Sequence, residues 1–188
     1  RAALEGRSVQ MNITVYLGAN QGSDPALRTA VQELGRWIGA SGNALVYGGS
    51  KNGLMGELAR SVLEMGGSVT GVEPQMFVDE GFQCEELTEL IVTRDMSERK
   101  NKMIELGQAF IAFPGGTGTL EEIAEVMSKT AMGQLDAPCV LYNLSGYYNG
   151  LKALLQQMIE KGLSSEERQQ KICFAENLEQ IKQALGCA

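Results

Sequence analysis

A glycine-rich stretch, PGGTGT at residues 114–119, is followed at once by two carboxylates, Glu121 and Glu122. The glycines remove the Cβ atoms that would keep a ligand away from the backbone. A helix that begins near Thr117–Thr119 would direct free N–H groups and its positive dipole end at the loop. The spacing therefore predicts an anion site suited to phosphate, with a carboxylate just beyond it.

These residues also have a purely structural interpretation. The glycines can serve a tight turn between a strand and a helix, with a threonine as the helix cap. Acids in a first turn complement the helix dipole by roughly 0.3–1 kcal/mol each. On a helix over residues 119–131, Glu122 falls off the face expected to point at the core. That expected core face consists of Leu120, Ile123, Ala124, Met127 and Ala131.

A second candidate is the basic cluster TRDMSERKNKM at residues 93–103, which holds four of the sixteen Lys and Arg residues. Arg99 and Lys100 are expected in the first turn of a helix, where cations oppose the dipole unless an anion compensates. The functional interpretation is an arginine fork on a phosphate or a catalytic carboxylate. The alternative is a solvated helix face on which Glu98 and Lys102 pair.

Composition narrows the chemistry further. The 188 residues contain no histidine, which excludes Ser-His-Asp and Cys-His catalysis and histidine-ligated metals. Four scattered cysteines without a CxxC pair argue against a zinc site and fit a reducing cytoplasm. The net charge of −7 disfavours a nucleic-acid partner. No apolar run is long enough for a membrane span. We expect one domain over residues 1–188, with residues 1–10 as an irregular leader.

Short β-branched segments alternate with longer helical patterns along the chain. This order predicts an α/β fold, a Rossmann-like doubly wound parallel sheet with helices on both faces. Ligands of such sheets bind at the carboxyl ends of the strands, where the winding reverses. The turn at Gly48 and Gly49 and the turn at residues 114–119 could face one ligand there.

The first strand–helix turn, LGANQG, is not GxGxxG, and no GxxxxGK[ST] loop occurs. The strands are expected in 12–17, 43–47, 68–72, 87–93, 109–113, 138–143 and 171–174, and the helices in 24–41, 54–67, 96–107, 119–132, 147–162 and from 177 onward.

Three motifs together resemble the Lonely Guy (LOG) family of cytokinin riboside 5'-monophosphate phosphoribohydrolases, often mislabelled lysine decarboxylases. They are VYGGSKNGLMG (46–56), MSERK (96–100) and PGGTGTLEE (114–122). The resemblance covers about residues 12–160, and GYYNGL at 146–151 is also similar to the family. It implies a homodimer that hydrolyses the N-glycosidic bond of a nucleoside 5'-monophosphate without a metal or an organic cofactor.

The resemblance also implies roles for individual residues. Arg99 and Glu122 fall on the catalytic positions of the family. Glu122 would stabilise an oxocarbenium-like state and activate water, while Arg99 would keep Glu122 ionised. The residues implied in substrate binding are Gly48, Gly49, Glu80, Met96, Lys100, Gly115, Gly116, Thr117, Gly118, Thr119 and Glu121. The preferred base, adenine or an N6-modified adenine, stays open.

Three other functions are compatible with parts of the sequence. A lysine decarboxylase needs a Schiff-base lysine with pyridoxal phosphate and a partner for the ring nitrogen, a constellation that the sequence does not show. A non-catalytic carrier of a nucleotide or of the molybdenum cofactor would use the same fold and glycine turns but would not need Arg99 and Glu122. A pure interaction module would leave the glycine turns unexplained. Met127 and Met132 suit either the core or a dimer interface.

Overall fold

The computed structural model describes residues 10–187, so most of the expected leader at 1–10 lies outside the described residues. Seven strands form one parallel sheet in the order β4-β3-β2-β1-β5-β6-β7. The doubly wound parallel fold predicted from the sequence is therefore confirmed. The strands are β1 (Asn12–Tyr16), β2 (Ala44–Tyr47), β3 (Ser68–Pro74), β4 (Glu89–Thr93), β5 (Ala109–Ala112), β6 (Cys139–Tyr142) and β7 (Ile172–Ala175).

Eight α-helices accompany the sheet in the described part of the chain. Helix α1 begins as its sequence indicates, because the Asp24 side chain accepts a hydrogen bond from the Ala26 N–H and Pro25 occupies the first position. None of the helices in residues 10–187 is long and apolar enough to cross a bilayer. The helices are α1 (Pro25–Ala40), α2 (Gly53–Glu64), α3 (Gln75–Asp79), α4 (Met96–Leu106), α5 (Thr117–Ala131), α6 (Asn149–Glu160), α7 (Glu166–Gln169) and α8 (Leu178–Ala184).

Side chains of each strand alternate between two apolar layers. On β1, Ile13 and Val15 pack into the layer formed with helices α1, α2 and α8. Tyr16 packs into the opposite layer with Phe110 of β5 and with helices α4, α5 and α6. Both faces of the sheet are therefore covered, as expected for a parallel sheet whose strands carry few polar residues.

The winding reverses between β1 and β5, which are neighbours in the sheet although three strands separate them in sequence. The loop after β1, residues 17–24, and the loop after β5, residues 113–116, meet at this point. A crevice of about 470 Å³ lies between them and is lined by residues that include Gly18, Asp24 and Gly115. This is the position where ligands of open α/β sheets bind.

Helix α5 departs from its predicted orientation. Leu120, expected in the core, is 45% exposed, whereas Thr119 is buried. The core face is formed by Thr119, Ile123, Val126, Met127 and Thr130. The helix begins two residues earlier than the apolar pattern indicates, and Thr119 turns inward against Gly115, whose Cβ would lie 2.3 Å from the threonine Oγ1. The spacing of apolar residues predicts a buried Leu120 because it does not include the contact between Thr119 and Gly115.

Candidate active site

The predicted anion loop connects β5 to helix α5. Gly116 is the N-cap of α5, and no side chain caps the helix there. The N–H groups of the first turn therefore have no intrahelical acceptor and point toward the loop. A Cβ at Gly116 or Gly118 would meet no protein atom within 4 Å, so the approach to these amides is open. The predicted residues from Gly115 to Thr119 thus form one continuous turn around a helix N-terminus.

Two tyrosines of the GYYNGL motif hold this loop from outside. The Tyr147 hydroxyl donates to the Gly115 carbonyl, and the Tyr148 hydroxyl donates to the Phe113 carbonyl at 2.7 Å. Tyr148 is buried, and its ring lies edge-on to that of Tyr147. These two hydrogen bonds hold the loop in place, a role that the GYYNGL motif does not by itself predict. Two adjacent tyrosines just beyond a strand are the signal in the sequence.

Arg99 is the centre of the site and is almost fully buried. Its Nη1 donates to Glu122 Oε1 at 3.3 Å. The other two guanidinium nitrogens donate to backbone carbonyls, with Nε 2.9 Å from the Val72 oxygen and Nη2 3.1 Å from the Gly48 oxygen. A planar fork with several donors can satisfy three acceptors in fixed directions, which a lysine cannot do. The arginine thus joins β3, the turn after β2 and helix α5.

Both glycines of the second turn are required by their neighbours. A Cβ at Gly48 would lie 2.0 Å from Arg99 Nη2. Gly49 adopts φ +88°, and a Cβ there would lie 3.0 Å from Glu73 Oε2. A side chain at either position would therefore displace one of the two charged groups, and the turn belongs to the same site as the anion loop.

Glu122 is buried against Arg99, with 11% of its side chain exposed. Burial raises the pKa of Glu122 to about 7, and the attraction of Arg99 opposes this shift without cancelling it. The expectation that Arg99 keeps Glu122 fully ionised is therefore too simple. A carboxylate whose pKa lies near neutral pH is suited to take and return a proton.

Glu121 points the other way and is mostly exposed. It accepts a hydrogen bond from Lys100 Nζ at 2.6 Å, and this bond is the main cause that raises the pKa of Lys100. Glu125 lies 4.0 Å from the same ammonium. The two adjacent glutamates thus have different surroundings: Glu122 contacts the buried guanidinium, and Glu121 contacts a surface lysine.

The basic cluster is arranged differently from its prediction. Helix α4 is capped by Asp95, so Arg99 is its fourth residue and Glu98 occupies the first turn. The Glu98 carboxylate pairs with Arg94 at 3.1 Å. Lys102 pairs with Glu105 at 3.1 Å, so the Glu98–Lys102 pair of the alternative interpretation does not form. An acid rather than a cation complements the dipole at this helix start.

Of the predicted site residues, Gly115 and Gly116 line the first cavity and Gly48 and Arg99 the second, whereas Met96 and Glu80 line neither. Met96 is the first residue of α4 and is 37% exposed. Glu80 is exposed and caps helix α3 at its C-terminal end. The second cavity, of about 220 Å³, contains a different acid, Glu73, together with Arg99 and Gly48. Roles for Met96 and Glu80 stay predictions.

Three buried polar groups in this region give no signal in the sequence. The Tyr16 hydroxyl, Glu73 Oε2 and Gln83 Oε1 have no hydrogen-bond partner among the described residues. Tyr16 ends β1 beside Glu122, and burial together with that carboxylate raises the pKa of its phenol, so it stays a neutral donor. Unpaired buried polar atoms are rare in folded proteins and mark places where a ligand can bind. Among residues 10–187, no group of three or more histidines, cysteines and acids could hold a metal ion.

The fold is a doubly wound parallel sheet. A glycine anion loop and an Arg99–Glu122 pair lie where its winding reverses, as in small Rossmann-like ligand-binding proteins. Residues 55–185 match the family described as "Possible lysine decarboxylase". The cytokinin riboside 5'-monophosphate phosphoribohydrolase of Rhodococcoides fascians is 38% identical over 93% of this chain and 89% of that protein. One of the Arabidopsis thaliana proteins of the same name is 33% identical over 97% of this chain and 86% of its own length. The chain therefore belongs to the LOG family, as its motifs predicted.

Solved structures of other proteins share the fold. The molybdenum cofactor carrier protein from Chlamydomonas reinhardtii superimposes with a TM-score of 0.72 at 22% identity, over 94% of this chain and 99% of that one. The molybdenum cofactor binding protein from Rippkaea orientalis gives a TM-score of 0.68 at 20% identity, over 94% and 96% of the two chains. At this level of identity the likeness shows the fold alone, because one fold carries many functions.

Proposed function

We propose that this protein hydrolyses the N-glycosidic bond of a nucleoside 5'-monophosphate to give the free base and ribose 5-phosphate. The observation that carries the proposal is the order of groups along the site: the anion loop, then Glu122, then Arg99, then the cavity of about 220 Å³. Glu122 lies five residues beyond the start of α5, about 7 Å along the helix axis. This order matches phosphate, ribose and base in a nucleotide. The names of the relatives support the same reaction.

In this mechanism the amides at the start of α5 hold the 5'-phosphate. Glu122 removes a proton from a water molecule as the water oxygen bonds to C1' of the ribose. The C1'–N bond breaks, the base leaves with its electron pair, and it takes up the proton that Glu122 received from water, directly or through solvent, so that Glu122 is ionised again. Positive charge develops on the ribose in such a cleavage, and an ionised Glu122 stabilises it. Arg99 orients Glu122 and lowers its pKa toward the working range.

The lysine of the site does not suit a decarboxylase. A Schiff-base lysine must lose its proton near neutral pH and therefore needs a lowered pKa. Lys100 is bound to Glu121 and lies near Glu125, which raises its pKa instead. The carrier function draws support only from shared folds at low identity. Neither alternative accounts for the buried contact between Arg99 and Glu122.

The assembly and cellular location belong to the same proposal. We infer a cytoplasmic homodimer that engages neither nucleic acid nor membrane. Apolar side chains exposed on helices support self-association, namely Leu120 on α5, Met132 at its end and Leu154 on α6. Met127, by contrast, is buried in the core.

A valine at Gly116 is expected to raise KM for AMP at least about tenfold, because its methyl groups would occupy the space before the helix amides where the phosphate binds. The φ of −90° at Gly116 suits any residue, and the added Cβ meets no protein atom, so thermal unfolding should not change. Steady-state kinetics with AMP and with adenosine measure the effect. Because adenosine lacks the phosphate, its KM should differ little between the variant and wild type.

The matched control is Gly150→Val. Gly150 also has open space at its Cβ position and lies near the start of a helix, α6, whose residues do not form the anion loop. This control should keep the wild-type KM. An unchanged KM for AMP in the Gly116 variant would show that the phosphate binds elsewhere.

A further inference from the structure

The cavity behind Arg99 contains a buried acid that the proposed mechanism does not use. Glu73 is 1% exposed, and its Oε2 has no hydrogen-bond partner. Phe77, Phe82 and Met55 line the same cavity and provide apolar and aromatic surface. An acid enclosed by such walls with one oxygen free has the arrangement of a group that awaits a polar edge on a flat ligand.

The cavity adjoins the reacting groups through Arg99. The guanidinium lines the cavity, and its Nε is bound to the carbonyl of Val72, the residue before Glu73. The Nη1 of the same side chain is bound to Glu122. A base that fills the cavity would therefore contact the same guanidinium that holds Glu122.

Backbone hydrogen bonds fix one wall of the cavity. The turn after β2 pairs with the segment after α3: Lys51 N–H donates to the Phe82 carbonyl, and Cys84 N–H donates to the Gly49 carbonyl. The rings of Phe77 and Phe82 lie 5.9 Å apart at an angle of 59°. This wall carries the two aromatic side chains, and the cavity volume of about 220 Å³ suits a single heterocycle rather than a whole nucleotide.

We propose that this cavity is the base subsite and that Glu73 is a specificity-determining residue that reads the N6 and N7 edge of a 6-aminopurine. The neutral acid has one acceptor and one donor in a plane, so its C=O accepts from the N6–H while its O–H donates to N7. A 6-oxopurine presents two acceptors on the same edge and cannot satisfy the acid in this way. The inference rests on the proposed function.

The charge state of Glu73 decides this pairing. Burial raises the pKa of Glu73 to about 7, although Arg99 of α4 and Lys51 of the turn after β2 both favour its ionised form. Tyr47 of β2 also lies near Glu73 but is a neutral phenol, because burial and neighbouring groups raise its pKa. Below this pH the carboxyl carries the donating proton. Above it the carboxylate only accepts, and the bond to N7 is lost.

The test compares hydrolysis of AMP and of inosine 5'-monophosphate by wild type, Glu73→Gln and Glu73→Leu from pH 5 to 9. For wild type, kcat/KM for AMP should fall as the pH rises above about 7. The glutamine amide keeps one donor and one acceptor at every pH, so Glu73→Gln should retain the AMP preference and lose the alkaline fall. Glu73→Leu should lose the preference at pH 6 by at least about tenfold.

The outcomes separate the inference from the proposed function. A wild type that releases no base from either nucleotide would contradict the proposed function itself. A wild type that cleaves AMP, with both Glu73 variants keeping its pH profile and its AMP preference, would overturn the role of Glu73. Glu89→Gln is the matched control, because Glu89 is an exposed acid at the far end of the adjacent strand β4. It should behave as wild type.

Discussion

Replacing Glu122 by glutamine is expected to lower kcat for base release by at least about 10³-fold. Glutamine has nearly the same shape as glutamate and can still accept the hydrogen bond from Arg99, so the fold should be retained. It can neither take a proton from water nor stabilise positive charge on the ribose. The measurements are steady-state kinetics with AMP and thermal unfolding of both proteins.

Two glutamates on the same helix serve as comparisons. Glu125→Gln makes the same chemical change one turn later, at a partly exposed residue paired with Lys129, and should keep full activity. Glu121→Gln removes an exposed partner of Lys100 and should lose less than about tenfold. Full activity of the Glu122 variant would contradict the role of its carboxylate in the chemical step.

The pH profile of wild type follows from the same residue. Because the pKa of Glu122 is raised to about 7, the ionised base that the mechanism needs disappears as the pH falls below that value. The acid side of the profile should therefore report Glu122. Its alkaline side should report Glu73, which acts in its protonated form.

Replacing Arg99 by methionine should abolish measurable hydrolysis and lower the free energy of unfolding by about 3 kcal/mol. Methionine fills much of the same volume, but it leaves the carbonyls of Val72 and Gly48 without their donor. It also leaves Glu122 buried without the charge that lowers its pKa, so this pKa should rise further. Chemical denaturation and activity assays from pH 6 to 9 measure both effects.

Arg99→Lys separates charge from geometry at this position. The ammonium restores the positive charge beside Glu122 but cannot reach all three acceptors of the guanidinium. We expect an intermediate stability, a loss of activity of roughly 10²-fold, and an acid limb of the pH profile close to that of wild type. If the lysine variant were as active as wild type, the fixed fork of Arg99 would have no role in catalysis.

The elements of the fold could be predicted from the sequence because they depend on local patterns. Asp24 and Pro25 mark the start of α1, and the β-branched segment at 12–17 marks β1 closely. Helix α3 was missed because five residues after Pro74 give no helical period. The inward turn of Thr119 was missed because it depends on contact with Gly115, which no spacing rule includes.

The candidate site could be predicted only in part, because many of its contacts join residues that are distant in sequence. The glycine loop and the carboxylate after it stand together in sequence, and the resemblance to the LOG family indicated Arg99. The contacts that give Arg99 its surroundings come from Gly48 and Val72, which are distant in sequence and offer only carbonyl oxygens. The sequence pattern gives no signal for Glu73, which follows the predicted strand 68–72, because its burial depends on the packing of α3 and the turn after β2.

The most direct test of the proposed reaction is chromatography of AMP incubated with the purified protein, with Glu122→Gln alongside. The mechanism predicts equal amounts of adenine and ribose 5-phosphate from the wild type and none from the variant. Tight binding of AMP without release of adenine by the wild type would contradict it, and would make Arg99 and Glu122 parts of a binding site rather than of a hydrolase.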